Sequence, residues 1–85
     1  MASYRLLINP SAAAELEALP VKDRKRIAAK VQRLASNPRP NGTEKLSAQD
    51  RYRLRQGDYR VLYSVDDTTE TVMIVKIGPR RDVYR

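Results

Sequence analysis

Eighty-five residues, 41% of them hydrophobic and none of them Phe or Trp, leave room for one core of aliphatic side chains with tyrosines at its border. The chain contains neither cysteine nor histidine, which excludes disulfides, thiolate metal sites and imidazole acid–base chemistry for the protein acting alone. Seventeen Lys and Arg against ten Asp and Glu give a net charge of +7 and a pI near 10.1, a balance that favours phosphate backbones or an acidic protein partner without choosing between them.

In chain order, Tyr4 to Ile8 is a strand candidate. Asn9-Pro10 supplies an N-cap residue and a proline at the first helical position, and predicts a helix through Leu19 with Leu16 and Leu19 on its apolar side. Pro20 separates it from a second helix, about Val21 to Ala35, where Ile27, Ala28, Val31, Leu34 and Ala35 keep the spacing of a core-facing stripe. Lys22, Arg24, Lys25, Arg26, Lys30 and Arg33 form its cationic side, ordinarily a solvated face and here one able to meet RNA. Asn37-Pro38-Arg39-Pro40-Asn41-Gly42 closes the helix and makes a loop.

The rest reads as an antiparallel meander. Tyr52, Leu54 and Gln56 alternate with Arg53 and Arg55, so one face of that strand is cationic. Gly57-Asp58 is a tight turn, and Tyr59 to Val65 continues with Tyr59, Val61, Tyr63 and Val65 on one side and Arg60, Leu62 and Ser64 on the other. Residues 66–70 are a polar turn, in which Asp66, Asp67 and Glu70 read as turn chemistry rather than a metal site. Thr71 to Ile77 is the last strand, ended by Gly78-Pro79, and a tail with Arg80, Arg81 and Tyr84 follows. If that tail folds along the sheet, Arg80 and Tyr84 approach Arg60. The expectation is one α+β domain over residues 1–85, in the order β-α-α-β-β-β, with a helical hairpin packed on a small, mainly antiparallel sheet. Without a signal-peptide pattern or an apolar run of membrane-spanning length, the expected location is cytoplasmic, with no membrane partner.

Each arginine also has an ordinary reading. Arg53 and Arg55 could be a solvated strand face paired with Asp50 or Asp58, Arg60 could bridge the hairpin to Asp66 or Asp82, and Tyr84 could cover the sheet. Tyr52, Tyr59 and Tyr63 are expected in core and border packing.

The element order, the segment YRLRQGDYRVLY and the closing IGPRRDVYR together resemble the RelE/ParE superfamily of bacterial type II toxin–antitoxin systems, over nearly the whole chain. The resemblance implies a RelE-like fold and, for the RelE-like branch, a ribosome-dependent mRNA endoribonuclease, an mRNA interferase that needs no metal or cofactor and inhibits translation. On that reading Arg60, Arg80 and Tyr84 are catalytic and Arg53, Arg55 and Arg81 bind substrate. Arg53 and Arg55 stand where the best-known members carry lysines, and Pro79 where many relatives place histidine. Because arginine stays protonated, Tyr84, acidified by Arg60 and Arg80, is the expected proton acceptor. Two alternatives stay open: a ParE-like poison of DNA gyrase without nuclease residues, and a non-catalytic module that holds RNA or an antitoxin. The resemblance further implies a cognate antitoxin, RelB-like or similar, the ribosome and mRNA as partners, and DNA contact mainly through the antitoxin.

Overall fold

Strand β1 (Arg5–Ile8) hands the chain to helix α1 (Pro10–Glu17) through Asn9. The proline ring sets the helical φ at the first position, whereas the Asn9 side chain makes no capping hydrogen bond. Asn9 is fixed instead through its backbone, its N–H donating to the Ile74 carbonyl at 2.9 Å. This computed structural model describes residues 3–46 and 50–79.

Both helices stop two residues before their predicted ends. Helix α1 ends at Glu17, and the Leu19 N–H reaches back only to the Leu16 carbonyl, a tightened turn ahead of Pro20. Helix α2 (Val21–Arg33) is followed by Leu34, Ala35 and Ser36, whose N–H groups bond to Val31, Gln32 and Arg33. That i to i−3 winding keeps Leu34, fully buried, in line with Ile27 and Val31. The predicted apolar stripe is therefore present although the α-helix has ended.

The β-α-α-β-β-β order is present with one addition, a short strand β2 (Glu44–Leu46) ahead of β3 (Arg51–Gln56), β4 (Tyr59–Asp66) and β5 (Thr71–Pro79). The five-stranded sheet has the order β1-β5-β4-β3-β2, antiparallel except where β1 runs parallel to β5. Three residues, Glu-Lys-Leu, carry no readable alternation, so β2 is visible only through its pairing with β3. Strand β5 runs past the predicted break to Pro79, which stands opposite Tyr59 at the strand end, where a missing N–H is tolerated. In its middle the register slips, Leu62 facing Lys76 but Tyr63 facing Ile74. Val75 is thus an extra residue, and the inward positions change parity from Val72 and Ile74 to Ile77.

The core joins Ala12 of α1 and Ile27, Val31 and Leu34 to the sheet residues Tyr52, Leu54, Val61, Tyr63, Val65, Val72, Ile74 and Ile77. Tyr52 and Tyr63 stack with centroids 5.7 Å apart, and the buried Tyr63 hydroxyl donates to the Pro38 carbonyl at 2.7 Å. Burial pushes the Tyr63 phenol up from its ordinary value. These tyrosines are packing residues, as their place in the strands predicts.

Candidate functional site

Residues directly opposite in an antiparallel pair present their side chains on the same face. Arg55 faces Arg60 in the β3–β4 register, and Arg53, two residues before Arg55, shares that face. Like charges set directly opposite one another are destabilising, so the arrangement costs stability unless an anion occupies it. Arg60 is 4% exposed, and its Nη1 donates to the Tyr59 carbonyl at 3.1 Å. Among the described residues it forms no ion pair. Asp66, one of its expected structural partners, instead accepts the N–H groups of Thr68 and Thr69 within its own turn. Asp82 lies outside the described residues.

The three arginines line a single cleft of about 440 Å³ together with Lys30, Asn41, Gly42, Glu44 and Leu54. Lys30 enters from α2, its ammonium donating to the Arg55 carbonyl at 3.1 Å. Glu44 stands opposite Arg53 and forms a salt bridge with it. Four cations and one carboxylate thus surround a space open to solvent. Guanidinium groups grip two phosphate oxygens at a time, so the chemistry on offer is the binding of a phosphodiester and the neutralisation of charge that builds on it.

Lys30 and Glu44 are the charged cleft residues that sequence reasoning left out of the site. Lys30 carries a faint signal, since it lies on the cationic side of α2. Glu44 carries none, because β2 is invisible to periodicity. Arg80, Arg81 and Tyr84 lie outside the described residues.

One wall of the cleft is the loop between α2 and β2, and a charged clasp fixes it. The Arg39 guanidinium donates to both carboxylate oxygens of Asp67, at 3.2 and 2.8 Å, and its Nε to the Tyr52 hydroxyl at 2.8 Å. The same guanidinium lies over the Tyr52 ring, 5.1 Å from its centroid. Tyr4 adds a hydrogen bond to Asp67 at 2.6 Å. The Arg39 and Tyr4 hydrogen bonds hold the Asp67 carboxyl below its ordinary range, and the bond to Asp67 raises the Tyr4 phenol.

The far edge of the sheet differs in character. Arg5 and Asn9 donate their N–H groups toward β5, to Glu70 and Ile74, so the backbone groups of Leu6 and Ile8 face away from the sheet. Beside that edge lies a mainly apolar groove lined by Leu6, Leu7, Ile8, Leu16, Ala28 and Val31, with Gln32 its polar member. Leu7 and Ile8 are each 40% exposed.

A helical hairpin on a five-stranded mixed sheet is the build of RelE toxins. The archaeal RelE–RelB complex of Pyrococcus horikoshii superimposes with a TM-score of 0.80 at 31% identity, over 92% of this chain and 96% of that one. The RelBE2 toxin–antitoxin complex of Mycobacterium tuberculosis gives 0.78 at 25% identity, over 92% and 99%. In sequence, the toxin RelE of M. tuberculosis is 35% identical over 88 residues, covering 96% of this chain and 87% of that toxin. The family model for the ParE toxin of type II toxin–antitoxin systems matches residues 6–84, and the chain belongs to this RelE/ParE family of toxins.

Proposed function

We propose that this toxin is a ribosome-dependent endoribonuclease that cuts messenger RNA in the A site. The observation that carries the reading is the gathering of Arg53, Arg55, Arg60 and Lys30 around one cleft. In the reaction, a base removes the proton of a ribose 2′-hydroxyl, the 2′ oxygen attacks the adjacent phosphorus, and the bond from phosphorus to the 5′ oxygen breaks. The 5′ oxygen takes up a proton, and the products are a 2′,3′-cyclic phosphate and a 5′-hydroxyl. Arg55 and Arg60 stabilise the charge on the phosphoryl oxygens, with Arg53 and Arg81 holding the neighbouring backbone. Arg80 assists the leaving oxygen.

Arginine cannot serve as the base, and the Tyr84 phenol and the Glu44 carboxylate are the two candidates that single variants separate, beside the Lys30 amine that also lines the cleft. Glu44 is the sole carboxylate lining the cleft among the described residues. Primer extension on a translated messenger in a purified bacterial translation system tests the function and separates the two candidates. Wild-type protein gives cuts in the A-site codon that disappear in an Arg55→Ala, Arg60→Ala double variant. Whichever of Tyr84→Phe and Glu44→Gln loses the cuts identifies the base.

The match to a model of ParE toxins keeps the gyrase-poison reading in view. It gains the weight if translation proceeds uncut while supercoiling by gyrase is blocked. In either case the β1 edge, unpaired among the described residues, and its apolar groove suit a cognate antitoxin that lays a strand or amphipathic segment there, with acidic residues reaching the basic face. Action on ribosomes places the protein in the cytoplasm.

A further inference from the structure

A second cavity of about 180 Å³ lies beside the cationic cleft, lined by Lys30, Arg33, Pro40, Asn41 and Leu54. Lys30, Asn41 and Leu54 line both spaces, so the two are neighbours. Their chemistry differs. The cleft is walled by guanidinium groups, whereas the side cavity adds the Pro40 ring to the Leu54 side chain, with the Asn41 amide and the Arg33 guanidinium beside them. A phosphate gains nothing from proline and leucine. A flat heterocycle gains apolar contact from both, stacking from an arginine plane, and edge hydrogen bonds from an amide that both donates and accepts.

The Pro40–Asn41 wall is held before any ligand arrives. Pro38 accepts the Tyr63 hydroxyl, Arg39 is clasped by Asp67 and Tyr52, and Pro40 accepts the Thr43 N–H at 3.1 Å. A site whose walls are already ordered loses little freedom on binding.

We propose that this side cavity is a nucleobase subsite, which receives the base of a nucleotide whose phosphate lies in the cleft, with Lys30 and Asn41 along the sugar between them. The inference rests on the RNA-binding reading of the cleft and adds to it a base-reading element.

The test titrates the full chain, observed by amide NMR, with inorganic phosphate, ribose 5-phosphate and the four nucleoside 3′-monophosphates. The expected result is that the best nucleotide binds roughly ten- to a hundred-fold more tightly than ribose 5-phosphate, the range that stacking one base supplies, with shifts at Arg33 and Asn41 that phosphate alone does not cause. Arg33→Ala removes that advantage and leaves inorganic phosphate affinity unchanged. Asn41→Asp, which replaces a donor–acceptor pair with acceptors only, reorders the preference among the four bases, a readout that a wall serving only as structure does not move. Equal binding of nucleotides and ribose 5-phosphate, with phosphate still bound in the cleft, overturns the base subsite alone. Failure of phosphate itself to shift the Arg53, Arg55 and Arg60 amides overturns the cleft reading, and the subsite with it.

Discussion

Arg60 stands across the ladder from Arg55, a placement that a sheet selected for stability alone avoids. Sites tuned for function carry such costs, and removing them commonly leaves the fold as stable or more so. Arg60→Ala is therefore expected to lower messenger cleavage by about 10²–10³, the usual loss for one charge-stabilising donor, while thermal unfolding followed by circular dichroism stays unchanged or moves upward. A large drop in melting temperature instead assigns Arg60 to the scaffold. Arg60 and its neighbours Arg53 and Arg55 were legible in the sequence because charge inside an apolar alternation stands out. Glu44 was not, since an exposed acid in a three-residue strand looks like any loop acid. Asp67 offers a pH test. Its carboxyl lies lower in the folded protein than its ordinary value of 3.8, so the unfolded chain binds the proton more readily. The clasp's contribution is thus complete above that value and lost as pH falls through the lower folded one. Urea denaturation at a series of acidic pH values should show Asp67→Asn with a shallower loss of stability than wild type, and parallel curves would remove the clasp from the account.

The elements depend on a few backbone choices. Gly57 and Asp58 close the two-residue turn between β3 and β4, with Gly57 at φ +58 and no positive φ at Asp58. Positive φ at the first turn position is the glycine position of a II′ hairpin. Gly57→Ala finds open space for its methyl group, yet the left-handed backbone still costs about 1–2 kcal/mol, measurable as a lower urea midpoint with unchanged slope. In α2, Ile27 is fully buried, and Ile27→Ala is expected to cost about 2–5 kcal/mol by cavity formation. The element types were readable because long apolar periods announce themselves. Their ends were not, because the 3₁₀ turn that carries Leu34 inward and the extra residue Val75 change hydrogen bonding without changing which side chains are apolar.

At the scale of the whole molecule, the net charge of +7 announces an anionic partner but says nothing about where it binds; the cleft concentrates that charge. Binding of a short single-stranded RNA to the isolated protein should weaken with salt by about 0.7 in log–log slope for each phosphate neutralised. Arg55→Gln should reduce the slope by about that amount, and a slope left unchanged would mean that the RNA lies elsewhere. The sheet order was the least legible feature. Periodicity shows that strands exist, but the parallel contact between β1 and β5 joins Arg5 to Thr71 across the length of the domain, and no local pattern encodes it.

That contact also sets a timetable. Strand β5 lies between β1 and β4, yet it is the last of the five to be synthesised. Until residues 71–79 are available, β1 has no neighbour in the sheet, the core lacks Val72, Ile74 and Ile77, and Arg60 is without Gly78 beside it. The early helical hairpin can form by itself only marginally, since it is short and shares its core with strands not yet made. The sheet therefore cannot close until residues 71–79 have been synthesised, and for that interval the polypeptide lacks a complete core and the strand that flanks Arg60.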